Sequence, residues 1–574
     1  MPEYLSPGVY IEEFESGGVP VAGVSTSTAG FLGLAQRGEA EGLPELVTSF
    51  ADFQRKFGGY LPENQFGEYR FLSYSVEHFF INGGSRCYVM RATPDDAKSS
   101  VNEVYDFIKF NAKNQGSWGD RIRILIVPSS KAKTQIFEDF ENGQYKLKSS
   151  IGFNEGDIVE FIDGEVKQIN KVIMVQDNLV TFEKPFEGEV IDSEILPTKL
   201  LYTKEINIQI SYGDEVENYE KASLNISKSN FIEKLLKKSN LIEVKVDSDF
   251  IKDTVTPFLK FAGEKPDREK VWIDLTDGSD GSLDKLSPAN FIGSDNGPGK
   301  RSGIKSFIDN DDVSIMLVPG VTDPSVQLDL IAHCENKANR FAIIDIPKEI
   351  KKVNDLKQWR NMFDSSYAAA YHPWVKVFDP VDKTNIFIPP SGSVAGIYSR
   401  SDNTRGVHKA PANEVVRSCT SLDCQYSKGE QDILNPIGIN LIRAFTGQGI
   451  RIWGARTLSS NAQWRYINVR RLFIFIEESV KRSTDWVVFE PNDAELWARV
   501  KRSLDNFLTG VWRDGALVGS SPSDAFFVKI DNTTMTQDDI DNGKLICIIG
   551  VSPVKPAEFV IFRFTQFTAE ASGE

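Results

Sequence analysis

Histidine and cysteine are scarce in this chain, with four and five copies among 574 residues. A metal or redox centre needs such ligands at close, set intervals. Only Cys419 and Cys424 lie near each other, and no histidine stands in a zinc-like interval around them. The odd, scattered set reads as reduced structural thiols of a chain made in a cytoplasm. Long apolar runs are missing too. Nothing approaches the roughly 18–20 residues that span a bilayer, so direct membrane insertion is not expected. The opening MPEYLSPGVYIEEF has no basic stretch leading into an apolar one, so no secretory signal peptide is expected. Basic excess is also lacking. The 65 Lys and Arg against 81 Asp and Glu leave a formal charge of −16. That disfavours a nucleic-acid partner, whose phosphates require a net basic face.

What is present is ordinary for a folded protein: 41% apolar residues, 25% charged and 11% aromatic. The length allows roughly three or four domains with cores of their own. The first 27 residues are rich in Gly, Pro, Ser and Val, and GGVPVAGVSTST suits an extended arm better than a helix. An α/β pattern follows. AGFLGLA reads as a strand. SFADFQRKFGG reads as a short helix with Ser49 as its N-cap and Gly58 at its close. YRFLSYSVEHFFINGG reads as a longer helix stopped at Gly83–Gly84, and RCYVMRA as a second strand.

From about Ala112 to Asn230 the texture becomes a meander of short alternating strands. Asp163–Gly164 and Asp177–Asn178 are its turns, as in a small β-barrel or β-sandwich. Farther on, VSIMLVPG, PSVQLDLIAHCENKANR and FAIIDIP form a strand–helix–strand unit and imply a largely parallel sheet. Two amphipathic helices come next. Val469, Leu472, Phe473, Ile476 and Val480 form the stripe of the first; Leu496, Trp497, Val500, Leu504, Phe507 and Val511 form that of the second. Asn492 with Glu495 is a capping-box-like start for the second helix. KLICIIGVSPVKPAEFVIFRFTQF then reads as closing strands.

Three stretches suggest chemistry and fall short of it. SGSVAG presents Ser393 in a small-residue turn, but His333, His372 and His408 stand in contexts that do not build a nucleophile–base pair. SDNGPGKRSG nearly spells a phosphate loop around Lys300. The pattern needs Gly where Ser294 stands and Ser or Thr where Arg301 stands. The acidic runs DLTDGSDGSLD and Asp309–Asp312 lack the spacing of a calcium loop. No enzyme, cofactor or metal site is expected.

Six stretches, in order, carry a resemblance. They are SPGVYIEE, FFINGGSRCYVMR, GSWGDRIRI, PPSGSVAGIYSRSDNTRGVHKAPAN, GIRIWGARTL and INVRRLFIFIEESVKRSTDWVVFEPN. Together they resemble the tail sheath proteins of contractile phages and related phage-like injection machines. The β-rich stretch lies outside the resemblance. The resemblance implies an α/β multidomain fold: a subtilisin-like α/β domain without a catalytic triad, an inserted β-rich module, a C-terminal α/β sheath domain and extended terminal arms. In those terms 1–27 is an N-terminal linking arm, 28–111 an α/β segment of the core and 112–230 the inserted outer module. The subtilisin-like domain is 231–455, the inner tube-facing domain 456–558, and the C-terminal linking strand 559–574.

The resemblance further implies hexameric rings stacked in a helical sheath around an inner tail tube, with baseplate and terminator or cap proteins at the ends. Such a sheath contracts to drive the tube through a target envelope. The protein would be made in a bacterial cytoplasm and end in the tail of a virion or phage-like particle. The arms are expected to add strands to sheets of neighbouring subunits, through Val19, Val21 and Val24 at one end and Phe559, Val560, Ile561, Phe562, Phe564 and Phe567 at the other. Tube-facing candidates are the cations Arg470, Arg471, Lys481 and Arg482 and, on the next helix, Arg499, Lys501 and Arg502. Helix faces that merely meet solvent are the plainer account of these. A serine hydrolase of the same fold and a static surface lattice or adhesin protein are the competing classes.

Overall fold

The computed structural model describes residues 20–140, 143–186, 199–247, 249, 253–263 and 268–563. Backbone contacts divide the chain into two units. One comprises 1–35, 39–92 and 288–574; the other comprises 36–38 and 93–287.

The first unit is built on an eight-stranded sheet in the order Glu45–Val47, Cys87–Ala92, Ala29–Leu34, Ile315–Leu317, Phe341–Asp345, Ala368–His372, Ile439–Phe445, Gly449–Ile452. The six inner strands run parallel and the two edge strands antiparallel. Every residue of Ala29–Leu34, Phe341–Asp345 and Ala368–His372 is buried. This is why these strands read as unbroken apolar runs: a parallel sheet is covered on both faces.

The local signals place the covering helices. Ser49 caps Phe50–Phe57 by accepting from the Asp52 N–H, and Gly58 closes it at φ 90°. Gly83, at φ 117°, ends Leu72–Asn82. One expectation is corrected. SGSVAG is not a turn but the start of the helix Ser391–Arg405, with Ser391 to Ser399 all buried. Gly and Ser favour helices poorly, but here close approach outweighs propensity. A Cβ on Gly392 would stand 2.3 Å from the Ser75 carbonyl oxygen, and one on Gly396 would stand 2.4 Å from that of Phe79.

The C-terminal part of this unit packs the helices Ile467–Ser483 and Ala494–Arg513 around Leu472, Ile476, Leu496, Val500, Leu504 and Leu508. The second helix is capped by Asp493, which accepts from the Leu496 N–H, not by Asn492. The Asn492 side chain instead accepts from the Trp497 indole at 2.8 Å and donates to the Lys544 carbonyl at 3.0 Å. Of the expected closing strands, only Ile548–Val551 forms among the described residues, paired antiparallel with Phe526–Lys529.

The second unit holds a four-stranded antiparallel sheet, a three-stranded sheet and a closed six-stranded barrel. The barrel runs Val166–Gln176, Leu179–Phe182, Gln144–Leu147, Lys133–Phe140, Leu200–Thr203, Ile158–Asp163. Two of its turns are those that the sequence marks: Val166 pairs with Asp163 across Gly164, and Gln176 pairs with Leu179. Val159, Phe161, Val172, Val180 and Leu201 fill its interior. A buried charge cluster fixes its base, where Lys228 Nζ lies 2.8 Å from Asp157 and 3.1 Å from Glu205. All three side chains are almost fully enclosed, so the lysine's desolvation is offset by two carboxylates rather than by water.

Candidate functional site

The sequence offers two kinds of site, a catalytic serine and a set of assembly surfaces. Ser393 does have an imidazole partner, which the sequence reading missed. Its Oγ lies 3.3 Å from His78 Nδ1, on the helix Leu72–Asn82. Both side chains are sealed in the core, and burial pushes the His78 pKa down to about 4. The nearby Asp345 carboxylate is occupied otherwise, accepting from Ser391 Oγ at 2.6 Å and from the Gly320 N–H at 3.1 Å. A hydrolase needs a serine that a substrate carbonyl can reach; this pair packs two helices together.

At the N-terminal end, Pro20–Thr28 forms no strand and runs along the Ile467–Ser483 helix of its own subunit. The Ala22 and Val24 N–H groups donate to Ser483 Oγ and Ser479 Oγ at 3.2 and 3.1 Å. Val21 is half-buried against the C-terminal core, Val24 is half-buried, and Val19 lies outside the described residues. The Thr26 carbonyl accepts from Arg471 at 2.9 Å, and the Thr26 hydroxyl donates to Asp402 at 2.6 Å.

These contacts correct the expectation for two of the cations. Arg471 is buried and forms a two-point pair with Asp402, at 2.6 and 2.9 Å, beneath the N-terminal segment. Arg470 is buried as well. Its guanidinium stacks 3.5 Å from the Trp464 ring centre and 4.5 Å from that of Tyr367. Amphipathic periodicity could not signal this, because charged residues on such a helix ordinarily face water.

The other candidates lie nearer the surface. Lys481 is exposed. Arg482 bonds Glu478 at 2.6 Å and reaches Asp312 at 3.4 Å. Lys501 donates to the Val528 carbonyl at 2.5 Å and lies 3.4 Å from Asp505. Arg499 binds Glu490 at 2.8 Å and covers the Trp486 ring. Arg502 is exposed and forms no ion pair among the described residues.

At the C-terminal end a clamp stands just before the apolar run. Glu558 accepts from Arg456 Nη2 at 2.6 Å and Nε at 2.9 Å, from Asn435 at 2.7 Å and from the Tyr466 hydroxyl at 3.2 Å. Beyond it Phe559, Val560, Ile561 and Phe562 are 74%, 69%, 77% and 77% exposed. They form no strand, contrary to the sequence reading. Phe564 and Phe567 lie outside the described residues. In the same unit, Phe526–Lys529 and Ile548–Val551 make a sheet of only two strands, and no third strand flanks either among the described residues.

Comparisons with known proteins identify the domains that carry these residues. Residues 302–458 match the family of the phage tail sheath protein central domain, and residues 459–567 match the phage tail sheath C-terminal domain. The tail sheath protein of Escherichia phage P2 is 24% identical, over 54% of this chain and 80% of its own length. That of Vibrio phage KVP40 is 26% identical over 36% of this chain, and the match spans only 31% of that longer protein. The sheath of an extracellular contractile injection system, PVC, solved in its contracted state, aligns over 100% of both chains with a TM-score of 0.53 and 22% identity. No helix of the described residues is long and apolar enough to cross a membrane. Residues 302–567 thus carry the central and C-terminal domains of the phage tail sheath family, one directly after the other, on a mixed α/β fold like that of a solved contractile sheath.

Proposed function

We propose that this chain is the repeating subunit of a contractile sheath, stacked as hexameric rings around an inner tube and joined to its neighbours by its ends. Contraction of the cylinder drives the tube through a target envelope, with baseplate and terminator proteins at its two ends. The eight-stranded unit is the subtilisin-like body of this reading, and it performs no chemistry.

One observation carries the proposal: an apolar run that leaves the subunit from a fixed point and finds no cover there. Four large side chains at 69% to 77% exposure are an aggregation hazard on a monomer. In a lattice they become a joint. A strand added to the Phe526–Lys529 and Ile548–Val551 pair of a neighbour would supply main-chain bonds for affinity and side-chain pockets for choice. Each ladder bond contributes about 0.5–1.5 kcal/mol, and each buried large apolar side chain about 1.5–3 kcal/mol before ordering costs. Repeated around every ring, such joints hold a cylinder while the bodies between them rotate.

On this reading grip on the tube falls to Lys481, Arg482, Arg499, Lys501 and Arg502, since Arg470 and Arg471 are spent inside the subunit. The experiment is removal of 559–574. The truncated chain should remain folded and monodisperse and form no long cylinders under the microscope. Cylinders of normal length from it would sink the proposal.

A further inference from the structure

The segment between the two C-terminal helices makes a turn that its sequence does not favour. Val487 to Glu490 closes with the Glu490 N–H donating to the Val487 carbonyl at 3.2 Å. Val488 stands at φ −67°, ψ 129°, and Phe489 at φ 71°. These angles are those of a type II turn, whose third position calls for glycine. A bulky aromatic side chain there is strained. The strain brings no packing in return. Phe489 is 102% exposed, Val488 beside it is exposed, and the Phe489 ring stacks on no other ring among the described residues.

The exposure is not that of a loose loop. The turn is pinned on both sides. Before it, the Val488 N–H donates to Asp485 and the Val487 N–H to Thr484. After it, Glu490 is tied to Arg499 at 2.8 Å, and Asn492 is held by Trp497 and Lys544. Trp486 and Val487 are packed into the C-terminal core. A rigid aromatic side chain projecting from a fixed base is what a binding anchor requires, because little ordering entropy remains to be lost on docking.

We infer that Phe489, with Val488, is the apolar anchor by which each subunit seats in a carboxylate-rimmed apolar slot on the inner tube. The inference rests on the tube-gripping role proposed above. The charge around the anchor sets the chemistry of the partner. Glu490 pairs with Arg499, and Arg502, exposed and one helical turn farther on, leaves a cation unpaired among the described residues on the helix to which the turn is tied. An apolar pocket bordered by Asp or Glu complements both features.

The test uses sheath-free tubes stripped from the particle that carries this chain. Sedimentation with those tubes, thermal melting and tube-free cylinder formation are measured for Phe489→Gly, Phe489→Leu and Arg502→Glu. Phe489→Gly should lose tube binding tenfold or more, melt no lower than the parent, and still form tube-free cylinders. Phe489→Leu should keep binding within about threefold. If Phe489→Gly binds within twofold of the parent while Arg502→Glu loses binding, the gripping role stands and the anchor falls. If neither substitution changes binding, the gripping role itself falls. A lower melting temperature for Phe489→Gly would make the side chain structural, and loss of tube-free cylinders would place it against a second sheath copy. Either result overturns the assignment.

Discussion

Arg456 and Glu558 meet in a two-point ion pair, at 2.6 and 2.9 Å, at the last place, among the described residues, where the C-terminal segment is held by the body of the subunit. Among the described residues, the exposed run of large apolar side chains begins one residue later. The pair therefore sets the direction from which the segment leaves the body; on the proposed reading, that direction decides where a neighbour must stand to receive it.

Glu558→Gln keeps the shape of the clamp and removes its charge. Charge-assisted bonds contribute about 1.5–3 kcal/mol, and only part of that reaches global stability because the segment can detach without unfolding the unit. The expected result is an unfolding free energy from urea titration unchanged within about 0.5 kcal/mol, faster protease cleavage after Glu558, and shorter cylinders. An unchanged cleavage rate would show that the pair does not hold the segment.

The same clamp gives a pH dependence with a definite sign. Burial raises the Glu558 pKa, but the bonds from Arg456 and Asn435 outweigh it and leave the carboxyl below its ordinary 4.5. A depressed acid stabilises the folded arrangement above its unfolded pKa and loses that contribution as pH falls through the lower, folded value. Protection of the C-terminal segment from protease should be flat from neutral pH to about pH 5 and fall only below about 4.5. Glu558→Gln should abolish the dependence.

Arg471 and Asp402 make the corresponding joint at the other end, but inside the core. Removing one partner of an enclosed pair leaves an uncompensated charge and costs about 3–5 kcal/mol. Arg471→Met or Asp402→Leu alone should lower the unfolding free energy from urea titration by that much. The double substitution should recover most of the loss, since an apolar pair fits where the ions were. It should still free Pro20–Thr28, because the Thr26 carbonyl and hydroxyl lose their partners. Hydrogen exchange at Ala22 and Val24 reads this directly.

The parts of this molecule that sequence reading reached are those decided within a few residues. Ser49, Gly58 and Gly83 end their helices through their own backbone geometry, and Asp163–Gly164 turns a hairpin because the two residues tolerate the required angles. What it missed depends on partners far along the chain. Ser393 meets a histidine 315 positions away. Arg471 is withdrawn from the surface by Asp402, 69 positions away, and by Thr26 at the opposite end of the chain. The helical start at Ser391 is hidden because glycine is chosen there for contact with another helix, against its local preference. From Glu558 to Arg563 the reading placed a strand where the described residues form none, since a strand needs a pairing partner and none flanks them there.

The barrel offers the last test, because its attachment is so narrow. The chain leaves the four-stranded sheet at Ser129 and returns at Glu205, and these two residues face each other in the antiparallel ladder of Arg123–Ser129 with Glu205–Tyr212. Residues so paired stand about 5 Å apart, a gap that a short glycine-containing turn can bridge. Replacing 130–204 with such a turn removes Asp157 but leaves Lys228 with Glu205, so the buried cluster keeps one cation and one carboxylate. The remaining sheet should fold with a loss of about 1–3 kcal/mol, the value of the charge-assisted bonds removed. The shortened chain should still build cylinders, because the family resemblance and both matched domains lie outside the excised stretch. A well-folded excision that builds none would make the barrel part of the lattice rather than an attachment to it.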